Sequence, residues 1–451
     1  MSAALARARR DFVAEVERRN PHEPEFVQAA CELAESVMPL VQDNAEYRAA
    51  RILERMAEPD RVISFRVCWE DDAGEVRVNR AWRVQFNRAL GPYKGGMRFS
   101  AGVTPSVLKF LGFEQTFKNA LTGLPMGGGK GGADFDPHGA SEREVMRFCK
   151  ALMAELYRHI APHVDVPAGD VGVGSREIGY LFGEYSRLTN RFEGGVLTGK
   201  GLTFGGSAVR EEATGYGVVC MLINALEHHG RGLEGQRVAI SGAGNVALHA
   251  AEKACAEGAR VVTLSDSDGT AWCADGFDAE QLAWIKALKL ERRGRISEAA
   301  DHLRRVEFHR GEQPWRLPCD IALPAALEND IDEDDARCLL DHELVALAEG
   351  ANMPVTAGAS KRLREAGVVF LPAKAANAGG VAVSGLEQSQ NATRVSWSRD
   401  TVERRLHEIM RDIHDDCVAN GGAGAVTDYF RGANVAAFER VARAMLAYGL
   451  V

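Results

Sequence analysis

Residues 237–247, RVAISGAGNVA, form the stretch that decides the fold of the second half of the chain. Its first four residues predict a buried strand, and a G-x-G-x-x-A pattern follows directly before a helical segment. Gly242 is expected to form a tight turn, Gly244 to let the backbone approach a pyrophosphate, and Ala247 to allow close helix packing. A chance glycine turn is the alternative. Because Asp266 lies 24 residues after Gly242, where a ribose-binding acid belongs, the dinucleotide interpretation is favoured.

The region around this motif alternates short apolar runs with helical segments. The strand candidates are Arg237–Ile240, Arg260–Leu264, Asp320–Leu323, Leu344–Leu347 and Val368–Leu371. Such alternation predicts an α/β fold with a mostly parallel, doubly wound sheet of Rossmann type. A chain of 451 residues is long enough for two domains. We therefore place a dinucleotide-binding domain at 205–427, after an α/β domain at 1–204 to which residues 428–451 are expected to return.

The first half has a different pattern. Between about residues 61 and 100, short β-like runs such as Val62–Trp69 and Val76–Val78 end in a turn-rich segment. Helices are expected from Thr104, with Pro105 in the first turn, and near 141–160. A further helix is expected with Ser175 as its N-cap. These elements predict the first domain.

Lys130 stands inside LPMGGGKGGADFDP, residues 124–137, with three glycines before it and two after. The candidate explanations are a phosphate cradle, a surface turn, or an amine that must approach a substrate closely. A P-loop needs G-x-x-x-x-G-K followed by serine or threonine. Leu124 replaces the first glycine before Lys130, and Gly201 replaces the hydroxyl residue after Lys200. An ATPase interpretation is therefore weak.

Two more amines, Lys94 and Lys118, occur in comparable settings. Lys94 lies in the glycine turn GPYKGG, and Lys118 shares one helix face with Leu108, Leu111 and Gln115. That face turns polar where the helix either emerges into solvent or lines a cleft. If the amines converge with Lys130, they suit an acidic substrate, and mutual repulsion and desolvation lower a lysine pKa, which yields a neutral amine able to act as a base.

Asp170, in PAGDVGVG, is the nearest candidate partner for such an amine. A turn-forming aspartate and a proton shuttle are both consistent with that loop.

Bulk composition excludes several classes of function. The net charge is −9, which argues against nucleic-acid and membrane-surface partners, since both select basic faces. Nine dispersed cysteines without a C-x-x-C pair indicate reduced thiols, neither a disulfide frame nor a zinc site, and His407 and His414 give no convincing metal pair. No apolar run reaches the length of a membrane span, and no secretory signal is evident. These features predict a cytoplasmic protein without a metal.

The combined motifs resemble those of the hexameric glutamate dehydrogenases, most closely the small bacterial NADP-linked type. The resemblance extends from about residue 45 to the C-terminus and rests on runs that occur in the same order. These runs are GPYKGGMRFS, FLGFEQTFKNALTGLPMGGGKGGADFDP, DVPAGDVGVG, EATGYG, SGAGNVA, AEGANMP and KAANAGGVAVSGLEQSQN. It implies an NADP-dependent homohexamer that converts 2-oxoglutarate and ammonia reversibly to L-glutamate. In amino-acid metabolism that reaction assimilates ammonia.

The resemblance also assigns roles by position. It implies that Lys130 is the catalytic lysine and Asp170 its proton-transfer partner. The residues implied to hold the substrate carboxylates are Lys94, Gln115, Lys118, the backbone of Gly169 and the hydroxyl of Ser384. Thr214 and Asn245 match cofactor contacts. The first domain then binds substrate and forms the oligomer contacts, and the glycines around Lys130 let substrate and amine meet.

Cofactor choice depends on the end of the second strand, SDSDG. Asp266 favours NAD, because an acid there binds the ribose 2′-hydroxyl. The flanking serines, Ser265 among them, the basic Lys286 and the overall resemblance favour NADP, which we predict. Glu211 stands where relatives usually have proline, and Ser175 where glycine is common. The rivals are a dehydrogenase for an apolar amino acid and a non-catalytic nucleotide-binding relative.

Overall fold

The computed structural model describes residues 3–422, 424 and 426–450. The chain forms two compact units. The first consists of the described residues up to Ala208, of Val383–Val402, and of those from Asn434 onward. The second consists of Val209–Ala382 and the described part of Glu403–Ala433. The domain limits predicted from the sequence, 1–204 with 428–451 and 205–427, did not include Val383–Val402 in the first unit.

The first unit contains a five-stranded mixed sheet. Its strands are β1 (Arg61–Glu70), β2 (Val76–Asn87), β3 (Tyr93–Phe99), β4 (Gly128–Ala133) and β5 (Asp165–Gly169). The order across the sheet is β1-β2-β4-β3-β5. β2 is antiparallel to both β1 and β4, whereas β3 is parallel to β4 and β5. The glycine-rich β4 is therefore an inner strand with a neighbour on each side.

Seven helices accompany this sheet along the chain. They are α1 (Ala3–Arg19), α2 (Pro24–Asp43), α3 (Ala45–Ala49), α4 (Ile52–Met56), α5 (Pro105–Leu121), α6 (Glu142–Leu156) and α7 (Ser175–Thr189). The Thr104 side chain caps α5, which begins with Pro105 as expected, and Ser141 forms a capping box at α6. Ser175 is not a cap. It is the first helical residue of α7, and the Glu177 side chain instead accepts a hydrogen bond from the Gly174 amide.

The second unit contains a seven-stranded sheet. Its strands are β6 (Arg237–Ile240), β7 (Arg260–Asp266), β8 (Gly269–Trp272), β9 (Glu307–Arg310), β10 (Ile321–Leu323), β11 (Ala346–Ala348) and β12 (Val369–Leu371). The order is β12-β11-β10-β6-β7-β8-β9, with parallel pairing from β12 to β7 and antiparallel pairing beyond. Since all five predicted strands form and run parallel, the doubly wound fold class is confirmed.

The remaining helices complete the chain. They are α8 (Ala213–His228), α9 (Asn245–Ala256), α10 (Ala279–Lys286), α11 (Glu298–His302), α12 (Glu333–Asp341), α13 (Ala357–Glu365), α14 (Ala373–Ala376), α15 (Gly379–Thr393), α16 (Arg399–Asn420) and α17 (Tyr429–Tyr448). The chain passes between the two units inside α15, α16 and α17. None of the helices in the described residues is long and apolar enough to cross a membrane.

Candidate active site in the first unit and dinucleotide turn in the second

The glycines around Lys130 are required for packing within the first unit. An added Cβ at Gly128 would lie less than 3.0 Å from the backbone of Thr116 of α5, and one at Gly132 equally close to the backbone of Arg98 of β3. No real Cβ tolerates such contacts without movement of its neighbours. The glycines thus let α5 and β3 approach the backbone of β4. This close packing adds a structural reason for glycine to the predicted one of substrate access.

Lys130 and Asp170 meet in this packed region. The Lys130 Nζ lies 3.1 Å from Asp170 Oδ2, and the Arg98 Nε donates to the same oxygen at 2.8 Å. Met97 pairs with Gly169 across β3 and β5, so Arg98 and Asp170 follow that pair on adjacent strands. The Lys130 side chain is 5% exposed and that of Asp170 is 19% exposed. The sequence predicted the lysine and aspartate, but it did not identify Arg98.

Burial and charge act against each other in this triad of Arg98, Lys130 and Asp170. Burial lowers the pKa of Lys130; the Asp170 carboxylate opposes that effect, and the Arg98 guanidinium adds to it. For Asp170, burial alone would raise the pKa, but the charges of Lys130 and Arg98 outweigh it and bring the pKa to about 2. At neutral pH the site therefore holds an ionised carboxylate beside an amine that releases its proton more easily than an ordinary lysine.

A second buried pair fastens the strands that carry these groups. The Arg83 side chain on β2 donates to Asp165 at the start of β5, with Nη2 2.5 Å from Oδ1, and both side chains are fully buried. Its Nη1 also donates to the carbonyl of Gly95 on β3 at 3.0 Å. One guanidinium thus connects β2, β3 and β5. Because burial of both charges carries a desolvation cost, the pair is weak evidence for net stability.

The polar end of α5 lies against β3, where Lys94 is located. Asn119 Nδ2 donates to the Lys94 carbonyl at 3.0 Å and to the Gly127 carbonyl at 2.5 Å. Gln115 Nε2 donates in turn to Asn119 Oδ1 at 2.7 Å. Lys94 is only 1% exposed, whereas Gln115 and Lys118 are partly exposed. The predicted change of the helix face from apolar to polar therefore occurs beside β3, and Asn119 is an additional connecting residue.

Ser384 lies on α15 and contacts a residue that the sequence did not identify. Its Oγ is 2.5 Å from the Oγ1 of Thr198, and both side chains are buried. The Thr198 amide donates to the carbonyl of Pro167 on β5 at 3.1 Å. Two buried hydroxyls are thus held next to the strand that leads to Gly169 and Asp170. Thr198 could not be selected from the sequence, because its partner is 186 residues away.

The second unit contains the predicted dinucleotide turn. Gly242 has φ of +84°, in the left-handed region that favours glycine, and Gly244 caps the N-terminus of α9. Nothing lies within 4 Å of a Cβ built at Gly244, while Ala247 is fully buried. The helix N-terminus therefore faces free space over a bare backbone, which suits a pyrophosphate. The residues present fit a dinucleotide.

Two further cofactor candidates lie near this turn. Asn245 is exposed at the first position of α9, and its Nδ2 donates to the carbonyl of Glu211 at 2.5 Å. Thr214, in the first turn of α8, is partly exposed and lies close to Gly380 of α15, where an added Cβ would overlap its hydroxyl. Both polar side chains are thus at the surface of the second unit near α9 or α15.

The predicted ribose-binding residues are arranged differently from expectation. The Ser265 hydroxyl points inward and accepts the amide of Gly242 at 2.9 Å, so it stabilises the turn. Lys286 does not approach Asp266; its ammonium pairs with Glu252 of α9 at 2.6 Å. The lysine beside Asp266 is Lys289, at 2.7 Å. The two lysines are less than one helical turn apart, and sequence alone does not show which one faces the sheet.

Asp266 is already well hydrogen-bonded. Besides Lys289, its Oδ2 accepts the amide of Ile296 at 2.9 Å, and its Oδ1 accepts the amide of Asp268 at 3.1 Å. Arg295 Nη1 donates to the hydroxyl of Ser267 at 2.7 Å. Burial alone would raise the pKa of Asp266, but the hydrogen bond from Lys289 and the backbone amides lower it. One ammonium therefore pairs with the acid, and a guanidinium contacts the next residue along the chain.

Neither a metal-ligand cluster nor a disulfide occurs among the described residues. Across residues 3–422, 424 and 426–450, no group of three or more histidine, cysteine, aspartate or glutamate side chains is arranged to hold a metal ion. His414 instead hydrogen-bonds the Tyr429 hydroxyl at 3.1 Å. All nine cysteines are free thiols.

Comparison with known proteins gives matches along most of the chain. A family model described as glutamate/leucine/phenylalanine/valine dehydrogenase matches residues 205–449, and the dimerisation-domain model of that family matches residues 59–187. The NADP-specific glutamate dehydrogenases of Salmonella typhimurium and Escherichia coli are 57% and 55% identical, each over 440 residues covering 98% of both chains. A solved Plasmodium falciparum glutamate dehydrogenase superposes with a TM-score of 0.97 at 46% identity, covering 99% of this chain and 96% of that one.

Proposed function

The chain belongs to the glutamate/leucine/phenylalanine/valine dehydrogenase family, and from this premise we propose that it is an NADP-dependent glutamate dehydrogenase. It would catalyse the reversible reductive amination of 2-oxoglutarate by ammonia to L-glutamate. The observation that carries the proposal is the buried contact between Lys130 and Asp170, at 3.1 Å, within a chain that matches NADP-specific relatives over 98% of its length. Small-molecule oxidoreductase chemistry also agrees with the acidic net charge of −9.

Substrate binding would use the buried polar groups of the first unit. Lys94 and Ser384 are proposed to hold the distal carboxylate, and Lys118 with Gln115 the carboxylate beside the reacting carbon, together with the backbone of Gly169. A dicarboxylate supplies an anionic group at each end for these polar groups to bind, whereas an aliphatic side chain supplies none. The 57% identity to a relative named glutamate dehydrogenase supports glutamate over the apolar amino acids of the same family.

Proton transfer would depend on Lys130, because its pKa is lowered by burial. An amine whose pKa approaches the working pH both donates and accepts protons efficiently. It would protonate the substrate carbonyl oxygen and later the oxygen that leaves as water. Asp170, ionised at neutral pH, would orient the amine, hold ammonia and pass on the protons that ammonia loses. Arg98 would keep the aspartate ionised while the lysine changes its charge.

The cofactor would be held by the second unit, where its chemistry would be the supply of a hydride to the imine carbon. The turn at Gly242 and Gly244 and the N-terminus of α9 would bind the pyrophosphate. Thr214 and Asn245 remain candidate contacts. Beside Asp266, the ammonium of Lys289 and the neighbouring Arg295 support NADP over NAD, since cations there attract a 2′-phosphate.

Several coarser features complete the proposal. We propose that the first unit carries the oligomer contacts of a homohexamer and that the protein acts in the cytoplasm without a metal. The match of residues 59–187 to a dimerisation-domain model supports the assembly. Sedimentation equilibrium would give the number of subunits, and a monomer at micromolar concentration would refute the proposed homohexamer.

The decisive test is the activity of the purified protein. NADPH absorbance should decrease only when 2-oxoglutarate and ammonium are both present. Lys130→Ala should abolish this activity while fluorescence titration still reports NADPH binding. Activity without ammonium would indicate a different reaction, and full activity of the variant would refute the role of Lys130. Omitting each substrate in turn provides the internal control.

A further inference from the structure

One buried ion pair in the first unit has no part in the chemistry proposed above. Lys200, the lysine considered above as a P-loop residue, lies with its Nζ 2.6 Å from Glu387 Oε1, and both side chains are fully buried. Its ammonium also donates to the carbonyl of Leu197. Because a buried, paired ammonium does not reach a phosphate, the structure removes the nucleotide interpretation of Lys200. The pair needs another explanation.

The contacts of Glu387 point to the segment that contains Thr198. Its Oε2 accepts the amide of Gly199 at 2.9 Å, and its Oε1 accepts the amide of Lys200 at 3.4 Å. One carboxylate thus binds two consecutive amides directly after Thr198. Gly199 has φ of +82°, so the chain turns there in a conformation that glycine adopts without strain.

The same face of α15 binds this segment at three successive helical turns. Ser384 Oγ contacts Thr198, Glu387 contacts Gly199, and the Gln390 side chain donates to Ser207 Oγ at 2.8 Å. Residues spaced by three lie on one helix face. Of these three contacts, only that of Glu387 carries charge, and charge-assisted hydrogen bonds in a dry interior are the strongest of their kind. The carboxylate therefore fixes the segment most firmly.

We propose that the buried Lys200–Glu387 pair is a positioning device that holds the Thr198 hydroxyl against Ser384 and thereby sets selectivity for a dicarboxylate substrate. The inference rests on the proposed function, in which Ser384 binds the distal carboxylate. Neither member of the pair touches the substrate. Lys200 neutralises Glu387, which allows the carboxylate to remain buried, and Glu387 in turn fixes the amides on either side of the turn.

Selectivity is measured with two substrates that differ only at the distal end. 2-Oxopentanoate has the same number of carbon atoms as 2-oxoglutarate, with a methyl group in place of the distal carboxylate. Glu387→Gln should raise KM for 2-oxoglutarate by about tenfold to a hundredfold, because a hydroxyl displaced by about 1 Å loses its productive contact. The value of kcat/KM for 2-oxopentanoate and KM for NADPH should change by less than about twofold. A merely structural role would reduce all of these values together.

A double-mutant cycle tests whether Glu387 acts through Thr198. Thr198→Val removes the hydroxyl and should lower discrimination on its own. Combined with Glu387→Gln, it should lower discrimination no further, since a positioning residue has no effect once its target is absent. Additive losses would overturn the proposal.

Matched variants address folding and the loss of a buried carboxylate. Glu184→Gln removes a carboxylate of the first unit that is likewise buried and pairs with Arg187 at 3.0 Å, and it should leave discrimination unchanged. If Glu387→Gln does not melt cooperatively, Lys200→Met combined with Glu387→Gln avoids an unpaired buried ammonium and should show the same selectivity loss. Unchanged discrimination in that double variant, or an equal loss in Glu184→Gln, would overturn the proposal. A wild-type protein inactive on 2-oxoglutarate would instead refute the proposed function, and this inference with it.

Discussion

The two functional regions differ in the groups that form them, side chains in the first unit and backbone in the second. The candidate active site of the first unit is built from buried side chains: Lys130 Nζ and Arg98 Nε lie 3.1 Å and 2.8 Å from the same carboxylate oxygen of Asp170. The dinucleotide turn of the second unit is built mainly from backbone, with Gly242 in the left-handed region and free space at Gly244. The energy of a charge in a low-dielectric interior changes with every neighbouring polar group. The geometry of a backbone turn depends instead on the φ and ψ angles of a few residues. The first region should therefore respond most strongly to substitution.

The largest effect is expected at Asp170. Asp170→Asn keeps the size of the side chain but leaves Lys130 and Arg98 next to each other without a counter-charge. We expect kcat to fall by about 10²–10⁴, because both orientation and proton transfer are impaired. The pKa of Lys130 should fall further, since the carboxylate is the group that opposes its lowering.

Steady-state kinetics across pH would measure this effect. NADPH binding serves as the control, because Asp170 does not belong to the second unit. A kcat within about threefold of the wild-type value would show that Asp170 is not needed for proton transfer.

The next largest effect concerns the packing of the glycine strand. Gly128→Ala places a methyl group less than 3.0 Å from Thr116, so α5 or β4 must move. We expect the free energy of unfolding to fall by about 1–3 kcal/mol, as for other overpacked cores. Denaturant unfolding followed by circular dichroism would measure the change.

Gly183 provides a matched control on α7. Nothing lies within 4 Å of a Cβ at that position, which has ordinary helical geometry. Gly183→Ala should stabilise the protein by roughly 0.5–1 kcal/mol, because alanine restricts the unfolded chain. If Gly128→Ala raised the free energy of unfolding, as Gly183→Ala is expected to do, packing would not explain the glycine in β4.

These contrasts show what the sequence could and could not specify. Backbone patterns were predictable: the strand before Gly242, its turn, and the Pro105 helix start all follow local rules that a motif exposes. Contacts made across the fold were not. Arg98 carries no local signal for its bond to Asp170, and Thr198 meets Ser384 only because α15 returns to the first unit.

The choice between Lys286 and Lys289 illustrates the same limit. Lys286 ends α10, but the next residues form a π-helical turn, Ala287–Glu291, which changes the direction in which successive side chains point. A regular helical periodicity therefore gives the wrong face for this segment. The sequence predicted a basic residue near Asp266, and the irregular turn determined which one.

A moderate effect is expected when these two lysines are compared. Lys289→Met removes the ammonium beside Asp266 and should raise KM for NADPH by about tenfold to a hundredfold, the value of a lost charge-assisted hydrogen bond. Lys286→Met removes an ammonium paired with Glu252 and should change KM for NADPH by less than about twofold. Initial rates at saturating 2-oxoglutarate and ammonium measure both. The reverse order of effects would restore the role first predicted for Lys286.

The smallest effect concerns Asp330, which lies beneath the dinucleotide turn. The Ser241 hydroxyl donates to its Oδ2 and accepts the amide of Ala325 at 3.0 Å. Burial raises the pKa of Asp330 to about 6, and the Asp335 carboxylate acts in the same direction against the hydrogen bond from Ser241. Because this pKa lies above the ordinary value of 3.8, the protonated form favours the folded state.

The stability from this group is therefore complete below about pH 4 and is lost as pH rises through about 6. Asp330→Asn stays neutral, so its advantage over the wild type should grow between about pH 5 and pH 7 by on the order of 1 kcal/mol. Native-state hydrogen exchange at the amides of β6 would measure the local opening energy without assuming that both units unfold together. A pH-independent difference between the two proteins would mean that Asp330 keeps its charge in the folded state. The second unit would then hold a buried carboxylate beneath its backbone turn at little cost in folding free energy. The two regions would then differ less in how their stability responds to a buried charge.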